Sequence, residues 1–125
     1  MKIIFDMTIN SEYDIKKLDY YLLENKNAGT QMKYINEILY NLIKHRVRIN
    51  EIIEEYAIDW SIDRIAKIDL TILQLALVEI LFIDEIPYNI AINEGVELAK
   101  KYSESSAPAF INGILGKFVQ KEGIN

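Results

Sequence analysis

The chain has 125 residues, 50% of them hydrophobic and 26% charged, which is enough for one domain with a continuous core and no staple. It contains no cysteine, so a disulfide framework and a thiolate zinc site are both excluded. Its formal net charge of −5 argues against indiscriminate nucleic-acid binding, which needs clustered Lys and Arg to neutralise phosphates.

The opening run Met1-Lys-Ile-Ile-Phe-Asp6 is too short an apolar stretch for a signal peptide. The longest apolar stretch, Leu70 to Ile83, is interrupted by Gln74 and Glu79 and is too short to span a bilayer. A cytoplasmic protein without a membrane segment is expected. Charge is unevenly spread. Lys100 to Lys121 holds four lysines against one acid, Glu104, whereas Glu51 to Asp69 holds six acids against two bases. One end therefore suits a polyanion and the other a basic partner, although solvated helix faces carry such patterns too.

Two prolines, five glycines and no strand-like alternation predict an all-helical fold. Residues 1–8 read as the tail of a helix that ends before Asn10-Ser11. A second helix is predicted over 12–25, with Tyr13, Leu18, Tyr21 and Leu22 inward, followed by a polar turn from Asn25 to Gly29. The third and longest covers about 30–57, where Met32, Ile35, Leu39, Leu42, Ile49, Ile53 and Tyr56 form one apolar stripe at three-and-four spacing. That stripe is broken between Leu42 and Ile49, at His45 and Arg46, which predicts a kink or a passage out of the core.

Ser61 is a candidate N-cap for a short helix, with Asp63 near its positive end. Asp69 is expected to repeat the device for a helix over 70–83. Ile72, Leu73, Leu75, Ala76, Leu77, Ile80 and Leu81 leave that helix almost no polar face, so it belongs in the middle of the domain. Pro87, with a fixed φ and no N–H, suits the first turn of the next helix. That helix is expected to reach about Tyr102, with Ala91, Ile92, Val96, Ala99 and Tyr102 inward. Ser105 or Ser106 caps the last helix, whose buried stripe is Phe110, Ile114, Leu115 and Phe118. No repeat or linker interrupts residues 1–125, read as a single domain.

Catalytic signatures are missing: no glycine-rich phosphate loop, Gly-x-Ser-x-Gly turn, His-Glu-x-x-His pair or cysteine nucleophile. The single His45 has no metal-ligand spacing around it. Glu54 and Glu55 are adjacent on a helix and point apart, and a solvated face accounts for Glu94 and Glu97. No enzyme, metal or cofactor is expected. Asn112-Gly113 is unusual, because helical spacing surrounds a pair that normally marks a turn. Gly in a helix interior costs up to about 1 kcal/mol relative to Ala, so close approach of another helix is expected there. Asn93-Glu94 reads as architectural, with Asn93 bonding back into the Asp84–Pro87 turn. Phe110 follows the Ser103–Pro108 junction, near Lys100, Lys101 and Tyr102. Aromatics beside lysines suit unpaired RNA bases and their phosphates, while spacing alone favours Phe110 and Tyr102 as core residues.

The segments IPYNIAINEGVELAKKYS and AFINGIL, with DRIAKIDLTILQLALVEILF and WSIDRI before them, resemble the NusB family of transcription antitermination factors. The match is close over 60–118 and looser before it. The resemblance implies seven helices in two roughly perpendicular three-helix bundles. It also implies a role in transcription of ribosomal RNA operons, in complexes with RNA polymerase and other Nus factors. There the family binds single-stranded boxA RNA together with NusE, a small-subunit ribosomal protein. Asp69 stands where the family places an acid facing NusE, and Asp63 is a second acid on that side. Phe110 and Tyr102 match aromatic positions at the boxA surface, with Lys100, Lys101 and Ser106 beside them.

The chain departs from the family in four places. No arginine precedes Arg46, whereas members open on an Arg-rich helix that supplies much of the RNA electrostatics. Ala109 replaces a common Lys, Gln74 an Arg and Gly95 an Ala. Either a start codon is placed late, so that the chain begins inside that first helix, or this is a divergent member. The helical pattern from the first residue points to the former. A divergent member would be a module that binds NusE or itself, as a homodimer in the latter case, with little RNA binding. A weaker alternative is a detached relative of the NusB-like domain beside RNA cytosine methyltransferases, with a structural role only.

Overall fold

The computed structural model describes residues 30–58 and 60–124, with side chains from Lys33 onward. The helices expected over 1–8 and 12–25, and the side chain of Met32, lie outside the described residues. Four α-helices and one 3-10 turn make up the rest: α1 (Thr30–Tyr56), the turn (Ile62–Arg64), α2 (Lys67–Phe82), α3 (Tyr88–Tyr102) and α4 (Ala107–Lys121). No strand occurs among them, as expected of an all-α protein. No helix among the described residues is long and apolar enough to cross a membrane.

Helix α2 organises the others. Every residue from Leu70 to Glu79 except Leu75 is buried, so the helix has neighbours on all sides. It packs against α1, α3 and α4, and α3 and α4 lie against each other. Each fully buried Leu or Ile contributes roughly 1.5–3 kcal/mol, and Ile72, Leu73 and Leu77 are all inaccessible to solvent. Gln74 is the polar exception on the α1 side, and its Nε2 donates to Asn50 Oδ1 at 3.0 Å. A neutral amide can thus be buried there without the counter-charge an arginine would demand.

The expected break in α1 falls at His45, whose backbone leaves helical geometry (φ −113°, ψ 16°). Ile38, Leu39 and Leu42 precede it and Ile49, Ile52, Ile53 and Tyr56 follow, all buried. The His45 ring stacks on Phe82, centroids 4.2 Å apart, so the histidine marks the bend and seals the end of α2. It is an ordinary packing residue.

Helix boundaries hold better than caps. Ser61, Pro87 and Ser106 do occupy N-cap positions, but the serines make no side-chain cap hydrogen bond. Asp69 is not a cap: α2 begins at Lys67 behind Ala66, which places Asp69 in the first turn. Tyr102, expected inward, is 56% exposed, because α3 ends there and the chain leaves through Ser103. After α4, Gly123 takes φ +66°, and the Ile124 N–H reaches back to the Val119 carbonyl at 3.0 Å, a glycine-based helix stop.

The glycine that meets another helix is Gly95, not Gly113. A Cβ on Gly95 would stand 3.4 Å from Ile72 Cγ2 and 3.8 Å from Ile111 and Leu115, room for Ala and little more. A Cβ on Gly113 would meet nothing within 4 Å, and Asn112 beside it is exposed, as is Asn93. Gly113→Ala should therefore stabilise the protein by about 0.5–1 kcal/mol through helix propensity alone. Urea denaturation measures this, and a loss of stability would reveal a contact the fold does not show.

One carboxyl is buried against the grain. Glu79 is 2% exposed and its Oε2 has no hydrogen-bond partner. Burial raises its pKa to about 7; a hydrogen bond from Tyr34 opposes that shift and the nearby Glu94 charge adds to it. Burial and the Glu79 carboxylate together push the Tyr34 phenol up, so Tyr34 remains the donor. Because the folded pKa lies above the unfolded one, this group favours folding fully only below about pH 4.5, and the contribution is lost as pH rises to about 7. Glu79→Gln should raise the thermal midpoint at about pH 8 and change it little at about pH 4. An equal shift at both pH values would contradict a neutral Glu79 in the core.

Candidate functional site

The junction between α3 and α4 is built on one short hydrogen bond. Ser103 Oγ donates to Asp69 Oδ1 at 2.6 Å, tying the residue after α3 to the first turn of α2. There the carboxylate also favours the positive end of the helix. The tie fixes how the chain crosses from Tyr102 to Ala107, and hence where Phe110 falls, one turn into α4. Pro108 at the second position of α4 suits this start, since its missing N–H would have had no intrahelical partner.

A groove of about 420 Å³ opens beside this tie, lined by Trp60, Arg64, Asp69, Glu104, Ser106 and Phe110 among others. Phe110 is half-buried. Its ring meets the indole of Trp60 edge to face, with centroids 6.4 Å apart and planes at 69°. Trp60 itself is 50% exposed. The groove therefore has an aromatic wall, one guanidinium (Arg64) and two carboxylates (Asp69 and Glu104). Stacking with unpaired bases, anion contact and attraction to a basic protein are all within its chemistry.

The residues singled out from sequence divide into two groups. Asp69, Ser106 and Phe110 come together in the groove. Lys100 and Lys101 line a separate hollow on the outer face of α3 with Asn93, Glu94, Glu97 and Leu98. Lys100 Nζ pairs with Glu97 at 3.2 Å, both side chains well exposed, a contact of small energy in water. Lys101 Nζ lies 5.2 Å from the Tyr102 ring centroid, so those two form an exposed cation–aromatic pair beyond the groove's rim. Asp63 is exposed within the 3-10 turn and does not line the groove.

Trp60, Arg64 and Glu104 were missed as site residues. Trp60 does carry a signal in sequence: it falls after the α1 stripe ends at Tyr56 and before the Ser61 cap, so no helix face claims it. Arg64 and Glu104 carry none, since lone charges beside a turn are the commonest surface residues. Among the described residues no cluster of three or more His, Cys, Asp or Glu could hold a metal ion.

Residues 1–120 match the NusB family. The transcription antitermination protein NusB of Alkaliphilus oremlandii is 44% identical over 124 residues, covering 99% of this chain and 90% of that protein. The protein of the same name from Clostridium novyi is 40% identical over 125 residues, covering 96% and 92%. Among solved structures, T. maritima NusB superposes with a TM-score of 0.85 at 25% identity, over 96% of this chain and 84% of that one. The chain belongs to the NusB family.

Proposed function

We propose that this transcription antitermination factor of the NusB family binds boxA-type single-stranded RNA together with the ribosomal protein NusE, as one cytoplasmic domain without catalytic activity. The observation that carries the reading is the aromatic groove: Phe110 half-buried and Trp60 half-open, at the helix junction set by Asp69 and Ser103. A splayed base finds a stacking surface there, Ser106 offers a hydroxyl, and Arg64 offers a phosphate contact. Lys101 and Tyr102 lie one junction away and extend the cationic side. Asp69 and Glu104 on the groove wall, with Asp63 on the turn below, present the acidic side to a basic ribosomal protein. RNA and protein would then meet across one groove.

A second reading is a module that binds NusE or a second copy of itself and little RNA. The two carboxylates in the groove favour it, since they repel phosphate, as does the net charge of −5. Titrating labelled boxA RNA and a scrambled control, with and without NusE and at several salt concentrations, separates the readings. Phe110→Ala should weaken boxA binding by about 1–3 kcal/mol, the usual worth of one stacked base, with the scrambled RNA unaffected. Equal binding of both RNAs under every condition would leave only the protein-binding module. Asp69→Lys tests the protein side, but it also breaks the tie to Ser103. Ser103→Ala is the necessary control: if it weakens NusE binding as much, Asp69 acts by placing the junction rather than by touching the partner.

A further inference from the structure

Helix α4 carries a stripe that the core does not use. Ser106, Phe110, Gly113, Lys117 and Lys121 follow one another at three- and four-residue steps and so share a face, about 22 Å long at 1.5 Å per residue. From Phe110 onward this face borders a trough against the end of α1 and the segment after it. Trp60 and Ile58 form one wall, Gly113 and Lys117 the other, and Tyr56 lies at the foot. The trough shares Trp60 and Phe110 with the groove at Asp69. At its far end it passes Lys117 into a hollow between Tyr56, Gln120 and Lys121. Three hollows thus follow one another along α4, each sharing lining residues with the next.

Two features of this face are unexplained by packing among the described residues. Ile58 and Trp60 are 65% and 50% exposed. Gly113 stands in a helix interior with open space where its Cβ would be, so the fold would accept a better helix former. Exposed apolar side chains beside a missing one describe a surface that receives something from outside.

We infer that the trough carries the single-stranded RNA onward from Phe110, with a base stacked on Trp60 over Gly113 and phosphates held by Lys117 and Lys121. The inference rests on the RNA reading above and names a track that reading does not include. The charges support RNA over a protein occupant. Lys117 and Lys121 are exposed, and no acid interrupts α4. At the foot, Glu55 and Glu122 lie near Tyr56 together with Arg48, which pairs with Glu51 at 3.9 Å, and with Lys121. Lysine is depleted at protein interfaces, whereas lysines spaced along a groove with aromatic platforms are the usual means of gripping a single strand.

Trp60 is the single tryptophan of the chain, so its fluorescence reports on the groove and the trough together, and the trough is read as the difference between extended and core RNA. Labelled boxA RNA is compared with the same RNA extended by about six nucleotides at either end, within the range a single-strand groove accommodates. The extended RNA should bind about tenfold more tightly from one end and quench Trp60. Gly113→Gln should remove that gain while leaving thermal stability equal or higher and core-RNA affinity within about twofold. Lys117→Gln with Lys121→Gln should remove about 1.4 units of salt slope, roughly 0.7 per lysine, from the extended RNA only. Extended and core RNAs binding alike, while Phe110→Ala still weakens both, would overturn the track and leave the RNA reading standing. Weaker NusE binding by Gly113→Gln would give the trough to the protein and overturn it as well. A core RNA that fails to bind at all would overturn the RNA reading itself.

Discussion

Everything in this molecule follows from a helix that cannot be wet. From Leu70 to Glu79 α2 presents apolar side chains in nearly every direction, so it is stable only when covered all round. Three neighbours must be bent, spaced and joined to do so. Helix α1 bends at His45 so that both its halves reach α2. Helix α3 crosses at Gly95, where the absent side chain leaves Ile72 and Leu115 room to close. Helix α4 returns against both. The candidate groove lies where this wrapping ends, at the first turn of α2.

At that first turn, coverage gives way to polar chemistry. Asp69 is the first residue of α2 whose side chain has a polar partner in another part of the fold, and that partner, Ser103, belongs to the junction that launches α4. A charged acceptor with a hydroxyl donor makes a short, strong bond, which gives the junction a defined shape. Phe110 is therefore placed by the same contact that anchors the acid expected to face a protein partner. Acid and aromatic thus meet at one junction.

Much of the fold was legible because α2 and its neighbours have strong periodicity. The stripe over 30–57, its interruption at His45 and the central place of α2 all follow from counting apolar residues, and the structure agrees. Capping was read less well. Asp69 looked like a cap because an acid before an apolar run usually is one, yet a hydrogen bond to a residue 34 positions later competes for it, and no local rule anticipates that. Gly113 was misread for a related reason. A glycine within helical spacing suggests a crossing, but whether another helix approaches depends on which face it occupies, and Gly95 holds the buried face instead. Tyr102 was placed inward by spacing alone, although at a helix end the chain's exit decides exposure. The candidate site was half visible: Phe110, Ser106 and Asp69 converge, while Lys100, Lys101 and Tyr102 fall outside the groove. Trp60 and Arg64, which complete its wall, come from a segment with no period to read.

The central claim is that wrapping α2 holds the groove in shape, and native-state amide hydrogen exchange tests it most directly. If α2 is the element everything else covers, its amides from Ile72 to Val78 should exchange only through global unfolding, with the highest protection in the chain. Amides of α4 near Phe110 should open at lower free energy. Amides of α2 exchanging faster than those of α3 or α4 would contradict the account, because the helix that organises the fold would then be able to open while its cover stayed closed.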